Sequence, residues 1–310
     1  MKELKRKSVK KCDNILIHPF VEEALQSIEH YLPLIDPPRL KEAINFLSKV
    51  IWHMSNTSHF NLARMRSYDI QTHIHSINVA LFSILISLQL GFSKSFIREV
   101  AIGGFFHDWG KLLVPKHILD KPESLTVEEF EVIKKHPING ERMLQRTRVS
   151  EDVLKTIRQH HERWRGQGYP DSLYKYDIHL QAQIVAIADV FEALTADRPY
   201  RNGMHPYHAL EMIFLEEDIN FSSKLVHSFR SALLLYFNYP VVRLNTGEIG
   251  LVMAVPLRLL TRPLVKVLYD EKGRGLKNEK LIDLSQELTY FVDKYINTTD
   301  IVPMGRIILR

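Results

Sequence analysis

Two aspartates and a set of histidines sit where this chain should least tolerate charge. Asp108 directly follows His107 at the end of the apolar run Ile102-Gly103-Gly104-Phe105-Phe106, and Asp189 closes the stretch Ile184-Val185-Ala186-Ile187-Ala188 ahead of Val190-Phe191. A carboxylate buried in such surroundings takes up a proton, destabilises the fold or meets a compensating cation. His75, His136 and the pair His160-His161 are spaced along the same part of the chain. Imidazoles with carboxylates and no thiolate suit iron, manganese or zinc and leave coordination positions open for water and substrate. A single histidine on an apolar helix is more often a hydrogen-bonded core residue. The adjacent His107-Asp108 pair shifts the balance toward a metal, and for Asp189 the alternative to ligation is a salt bridge.

The rest of the composition narrows the setting. With 310 residues, 45% hydrophobic and 25% charged, the chain can bury one large core and a small second domain. Its single cysteine, Cys12, permits neither a disulfide framework nor a cysteine-based zinc site and favours a reducing compartment. The basic start, with Lys5, Arg6, Lys7, Lys10 and Lys11, reads as a solvated tail and not as a secretory signal, so a cytoplasmic location is expected. The most apolar stretch, residues 77–90, carries Asn78, Ser83, Ser87 and Gln89 and is shorter than the roughly 20 residues of a membrane helix. It is expected to be a buried core helix, and no membrane span is expected. A net charge of +5 suits an anionic ligand without implying a nucleic-acid polymer.

From about residue 20 to 236 the apolar positions fall at helical spacing, as in Val79, Phe82, Leu85, Ile86 and Leu90, with Gly91 placed to end that helix. Thr126 followed by Glu129 predicts a capping box opening a helix with Phe130, Ile133 and Lys134, which should end near His136-Pro137. Beyond Tyr239-Pro240 the pattern becomes strand, turn, strand over residues 241–252, with a further strand at 264–268 and a turn around Asp270 to Gly275. The expected fold is mainly α, a helical bundle with a small C-terminal β-rich subdomain. The expected boundaries are a helical N-terminal extension over 1–66, a catalytic domain over 67–237 and the β-rich part over 238–310.

Over roughly residues 68–215 the chain resembles the HD-GYP family, the branch of HD-domain phosphohydrolases that degrades cyclic di-GMP. The blocks that carry the resemblance are His75-Ser76, His107-Asp108-Trp109-Gly110-Lys111 with Val114-Pro115, and His136-Pro137 with Gly140. They continue with His160-His161-Glu162-Arg163-Trp164, Gly168-Tyr169-Pro170 and the run from Asp189 through Asp197-Arg198-Pro199-Tyr200-Arg201. The resemblance implies an HD-domain fold and two divalent metal ions, iron or manganese favoured. His75, His107, Asp108 and Asp189 would hold one ion, His136, His160 and His161 the other, and Asp108 would bridge them. It implies cleavage of cyclic di-GMP to linear pGpG, or onward to GMP, by a metal-bridging hydroxide attacking phosphorus in line. Lys111 would stabilise phosphate charge, and Arg198, Arg201 and Tyr169 would contact substrate, with an Asp197–Arg198 salt bridge as the alternative for Arg198. The Gly168-Tyr169-Pro170 loop would form either a rim of the active site or a docking surface for diguanylate cyclases of the GGDEF type.

Three departures from the family pattern carry expectations of their own. Gln71 stands where some members have a glutamate that holds a third metal, so two ions are expected. Arg165 replaces an aspartate near the loop, which would either strengthen phosphate binding or remove a structural contact. Glu192 replaces a common aspartate, a milder change expected to alter how the ligand's base is held. The N-terminal segment is too short for a sensor domain, and Leu47, Val50, Ile51 and Trp52 are expected to pack on the catalytic domain or on a second subunit of a homodimer. The rival readings are a phosphodiesterase for another nucleotide, such as cyclic GMP-AMP, and a cyclic-dinucleotide receptor or docking module with little hydrolysis.

Overall fold

The computed structural model describes residues 18–27, 37–56, 70–147, 149–197, 202–234, 241–256, 259 and 262–296. Among them the helices run in the order α1 (Pro19–Ser27), α2 (Pro37–Asn56), α3 (Ile70–Gln89), α4 (Lys94–Phe106), α5 (Lys116–Leu119) and α6 (Val127–Ile133). They continue with α7 (His136–Leu144), α8 (Glu151–Gln159), α9 (Leu180–Thr195), α10 (Pro206–Leu215) and α11 (Ser223–Leu234). The strands are β1 (Val241–Leu244), β2 (Ile249–Ala254), β3 (Leu264–Tyr269), β4 (Gly275–Asp283) and β5 (Val292–Ile296).

The central element is α3, which is buried on every side from Ile77 to Ile86 and apolar there except for Asn78 and Ser83. It is longer than its apolar stretch suggests, because the polar turn containing His73 and His75 continues it toward the N-terminus. At 20 residues it is long and apolar enough to cross a membrane, yet 78% of its most apolar window is buried inside the protein. Helices α1, α2, α4, α9 and α11 pack around it. Its C-terminus closes as the sequence predicts: Gly91 takes φ +72°, and the Gly91 and Phe92 amides bond back to Leu88 O and Ser87 O at 3.1 Å each. Edge-to-face aromatic pairs knit the core, Phe82 with Phe191 and Phe191 with Phe229, each at 5.1 Å between ring centroids. Leu47, Val50 and Ile51 of α2 are buried in this same core, whereas Trp52 is 38% exposed and meets His18 edge-on.

The predicted capping box is present in full. Thr126 Oγ1 accepts the Glu129 amide at 3.2 Å, and Glu129 returns a carboxylate oxygen to the Thr126 amide at 2.8 Å. Helix α6 stops at Ile133, and α7 starts at once with His136 and Pro137 in its first turn.

The C-terminal strands form one antiparallel sheet in the order β4-β3-β2-β1-β5, with the turns where the sequence places them. Val242, Leu244, Val252, Val265, Val267, Ile282 and Leu284 make its own small core. On β5, Tyr295 lies flat on His205 at 4.1 Å and near Tyr207 at 4.9 Å, which joins the sheet to the start of α10.

The feature of the fold that places the functional residues is a backbone-to-backbone approach. The 3-10 turn Trp109–Leu113, which follows Asp108, lies so close to α7 that a Cβ on Gly110 would stand 1.9 Å from His136 O and 2.6 Å from the Gly140 amide nitrogen. Only a glycine lets Asp108 and His136 share one site. Gly110→Ala must therefore push two backbones apart, and chemical denaturation should show a loss of about 3 kcal/mol or more. A loss below about 1 kcal/mol would contradict this packing.

Candidate metal centre

Each ligand candidate sits at a place where a helix begins, ends or turns its buried face inward. His75 projects from α3, and His107 caps the C-terminus of α4. Asp108 precedes the 3-10 turn, His136 opens α7, His160 caps the C-terminus of α8, and Asp189 lies on α9. His161 follows His160, and their rings lie 4.1 Å apart, so the end of α8 lets neighbouring residues face one centre.

All of these residues meet. His75 Nε2 is 3.3 Å from His107 Nε2, 3.1 Å from Asp189 Oδ1 and 3.7 Å from Asp108 Oδ2. His107 Nε2 is 3.4 Å from Asp108 Oδ2 and 3.9 Å from Asp189 Oδ1. On the other side, His136 Nε2 is 3.3 Å from Asp108 Oδ1 and 3.2 Å from His160 Nε2, and the His136 and His161 rings are 4.9 Å apart. Two groups of ligand atoms result, each within 4.8 Å: His75, His107 and Asp108; and Asp108, His136, His160 and His161. Asp108 belongs to both.

Hydrogen bonding on the far side of the rings decides which nitrogens face inward. The Nδ1–H groups of His107, His136 and His160 donate to the carbonyls of Gly104, Ile133 and Ile157, three residues earlier in each case, at 2.7, 2.8 and 2.7 Å. Each Nε2 therefore presents a lone pair to the cluster. Burial lowers the pKa of His136 to about 4 and holds those of His160 and His161 well below the usual imidazole range, so these rings stay neutral. Lone pairs facing lone pairs and carboxylate oxygens at 3.2–3.3 Å repel unless a cation lies among them. Asp108 Oδ1 is buried and accepts no hydrogen bond. A buried anionic oxygen left in that state fits a metal ligand, and the donor set is that of a divalent-metal site.

Burial resists ionisation of Asp108, but the Lys111 ammonium and the His107 ring outweigh it and hold the carboxyl well below its ordinary range. Lys111 Nζ lies 2.6 Å from Asp108 Oδ2 and remains partly exposed, so a cation stands at the mouth of the site. Asp189 is likewise held low against burial, chiefly by its hydrogen bond from His75.

Glu192 is the functional residue that sequence reasoning placed wrongly. It stands apart from the site's mouth, buried on α9 one turn beyond Asp189, with Oε2 in direct hydrogen-bond contact with His75 Nδ1. Asn78 donates to its other oxygen at 3.2 Å. Glu192 thus fixes the tautomer and direction of His75, as carboxylates behind metal-binding histidines do. The readable signal was its spacing of three from Asp189 within an apolar helix.

The loop residues resolve differently. Tyr169 lies against His161, rings 4.7 Å apart and inclined by 28°, so it walls the centre. Glu162, buried behind it, accepts the Asp171 and Leu173 amides at 2.7 and 2.9 Å and ties the loop to the end of α8. Arg165 points away: its Nε donates to Asp218 O at 2.7 Å, a structural contact. Gln71 is exposed on α3. Arg198 and Arg201 lie outside the described residues.

The matches to known proteins agree with this arrangement. Residues 60–223 match the HD-domain model, and residues 241–302 match a model described as a KOW domain associated with the HD domain. A cyclic di-GMP phosphodiesterase of Pseudomonas aeruginosa is 33% identical over 253 residues, 81% of this chain and 61% of that protein. A cyclic di-GMP phosphodiesterase of Thermotoga maritima is 34% identical over 61% of this chain and 51% of its own length. A 3′3′-cGAMP-specific phosphodiesterase of Vibrio cholerae is 32% identical over 54% of this chain and 33% of its own length. The chain therefore spans about a third to three-fifths of the relatives it matches.

His75 also sets a pH dependence. Burial alone would lower its pKa, but the Glu192 and Asp189 carboxylates raise it to about 10, so the metal-free ring keeps a proton that ligation must expel. Metal affinity should then rise about ten-fold per pH unit between about 7 and 9 and level off above about 10, measured by competition with a chromophoric chelator. Glu192→Gln should weaken binding about 10- to 100-fold and flatten that slope; an unchanged affinity and slope would contradict the role given to Glu192. With its clustered histidines and aspartates and its match across residues 60–223, the chain belongs to the HD-domain family, in the HD-GYP branch that its sequence blocks resemble.

Proposed function

We propose that this protein is a metal-dependent phosphodiesterase that opens cyclic di-GMP to linear pGpG, with GMP as a further product. The observation that carries the reading is the position of Asp108: one oxygen faces His75 and His107, the other faces His136, and the carboxylate is 2% exposed. A carboxylate shared in this way suits two divalent cations, one held by His75, His107, Asp108 and Asp189, the other by Asp108, His136, His160 and His161. Gln71, a neutral amide one turn before His75, supports two ions and not three. Ligand chemistry and the family resemblance favour iron or manganese.

Divalent cations in such a site supply Lewis acidity, which acidifies water and neutralises charge on a phosphoryl group. The chain's own residues do the rest. Asp108 stays ionised and holds both sides of the centre. Glu192 keeps the His75 lone pair aimed inward. Lys111, partly exposed beside Asp108, is placed to neutralise a phosphate oxygen as negative charge builds there. Tyr169 offers a flat wall against which a nucleotide can be oriented, and Arg198 and Arg201 are proposed as further phosphate or base contacts.

The names of the relatives support cyclic dinucleotides as the substrate class, and the cGAMP-specific relative makes cyclic GMP-AMP the competing substrate. The tie between Glu162 and the loop supports the rim reading of Gly168-Tyr169-Pro170. Outward-facing Tyr174 and Tyr176, 51% and 88% exposed, leave the other side of the loop open to a diguanylate cyclase. A cytoplasmic location completes the reading, supported by the absence of cysteine pairs and by the burial of α3.

Anaerobically purified protein should contain two tightly held metal ions per chain by elemental analysis; three would overturn the ligand assignment. It should turn over cyclic di-GMP faster than cyclic GMP-AMP, and His107→Ala and Asp108→Ala should each cut that turnover at least about a thousand-fold. Wild-type protein without activity on any cyclic dinucleotide would sink the reading in favour of a receptor or docking module.

A further inference from the structure

Helix α6 carries an aromatic residue that the core does not use. Phe130 is 45% exposed although it lies on a short helix fixed at both ends. At the N-terminal end the capping box is reinforced by Lys121, whose ammonium contacts both Glu129 oxygens at 2.9 and 2.6 Å. At the C-terminal end the Ile133 carbonyl receives the His136 Nδ1–H, so the same short helix orients a ligand of the metal centre. Phe130 is therefore held at a set distance from that centre.

Its neighbours form a graded path outward from the cluster. Tyr169 stacks on His161, and Phe130 meets Tyr169 edge-on with centroids 6.5 Å apart and rings inclined by 78°. Lys134 sits over both rings, its Nζ 5.6 Å from the Phe130 centroid and 5.7 Å from that of Tyr169. Glu131 partners Lys134 at 2.7 Å on the exposed side. A partly exposed ring with an ammonium beside it suits a ligand that is flat and anionic, because aromatic stacking accepts any base while a lysine acts as a point charge for phosphate.

We infer that Phe130, Lys134 and Tyr169 form a subsite for the purine and phosphate of the second nucleotide of a cyclic dinucleotide, the unit whose phosphodiester is not being cut. This rests on the phosphodiesterase reading and deepens it. The metal centre, with Lys111 at its mouth, would receive the scissile phosphate, and the rim would hold the other half of the ring. A small diester lacking a base has nothing to place there.

KM and kcat for cyclic di-GMP and for bis(4-nitrophenyl) phosphate, measured on the metal-loaded full chain, test this subsite. Phe130→Leu, which keeps bulk and removes the π-face, should raise KM for cyclic di-GMP about ten-fold, and Phe130→Trp should restore it. Lys134→Gln should raise the same KM several-fold. The small diester reports how much of any loss comes from disturbing His136 through α6, so an equal loss on both substrates overturns the subsite. A Phe130→Leu variant whose KM for cyclic di-GMP stays within two-fold of wild type overturns it as well, and leaves the phosphodiesterase reading intact. Wild-type protein that cleaves the small diester and no cyclic dinucleotide overturns the parent reading, and this subsite with it.

Discussion

A buried carboxylate that lacks a hydrogen-bond donor on one oxygen organises this structure. Asp108 is 2% exposed, and Oδ1 accepts no hydrogen bond while facing the lone pair of His136. Lys111 stabilises the other oxygen, and that ammonium alone cannot quiet the His136 and His160 lone pairs directed at each other across the site. The cost of leaving such groups together in a low-dielectric interior is several kcal/mol. It is offset when positive charge enters among them, so the helices around the site suit the holding of a divalent cation as well as the filling of a core.

The packing reflects that demand. Three candidate ligands use one device, in which a histidine at a helix terminus donates its Nδ1–H to a carbonyl three residues back and so turns Nε2 inward. The helix end supplies a carbonyl without an intrahelical partner, and the ring satisfies it. His75 lies within a helix and has no such carbonyl to use, so a carboxylate from α9 serves instead. The close approach at Gly110 and Gly140 brings the Asp108 turn against α7 and joins the two halves of the cluster. Stability and function are coupled through these backbone contacts, since moving α7 moves His136 as well.

Much of this was legible in the sequence because burial and charge conflict locally. The residues His107-Asp108 after an apolar run, and Asp189 at the end of another, announce a compensated site without any knowledge of the fold. The α3 terminus at Gly91 and the Thr126–Glu129 box were readable because both signals are confined to a few neighbouring residues. What the sequence could not supply was pairing across long separations. Glu192 reaches His75 over 117 positions, and its spacing from Asp189 shows a shared helix face but not the partner on α3. Arg165 bonds to Asp218 O, 53 positions away, so its charge, which sequence alone leaves free to face the phosphate, is spent on a carbonyl. The length of α3 was underread because its first turns carry the polar residues that serve the site.

The central claim is that one aspartate is shared between two cations, and anomalous diffraction from crystals of metal-loaded protein addresses it most directly. The account predicts two anomalous peaks flanking Asp108, one within bonding distance of Oδ2, His75, His107 and Asp189, the other of Oδ1, His136, His160 and His161. A single peak, or peaks that leave Asp108 without a metal contact, would contradict it.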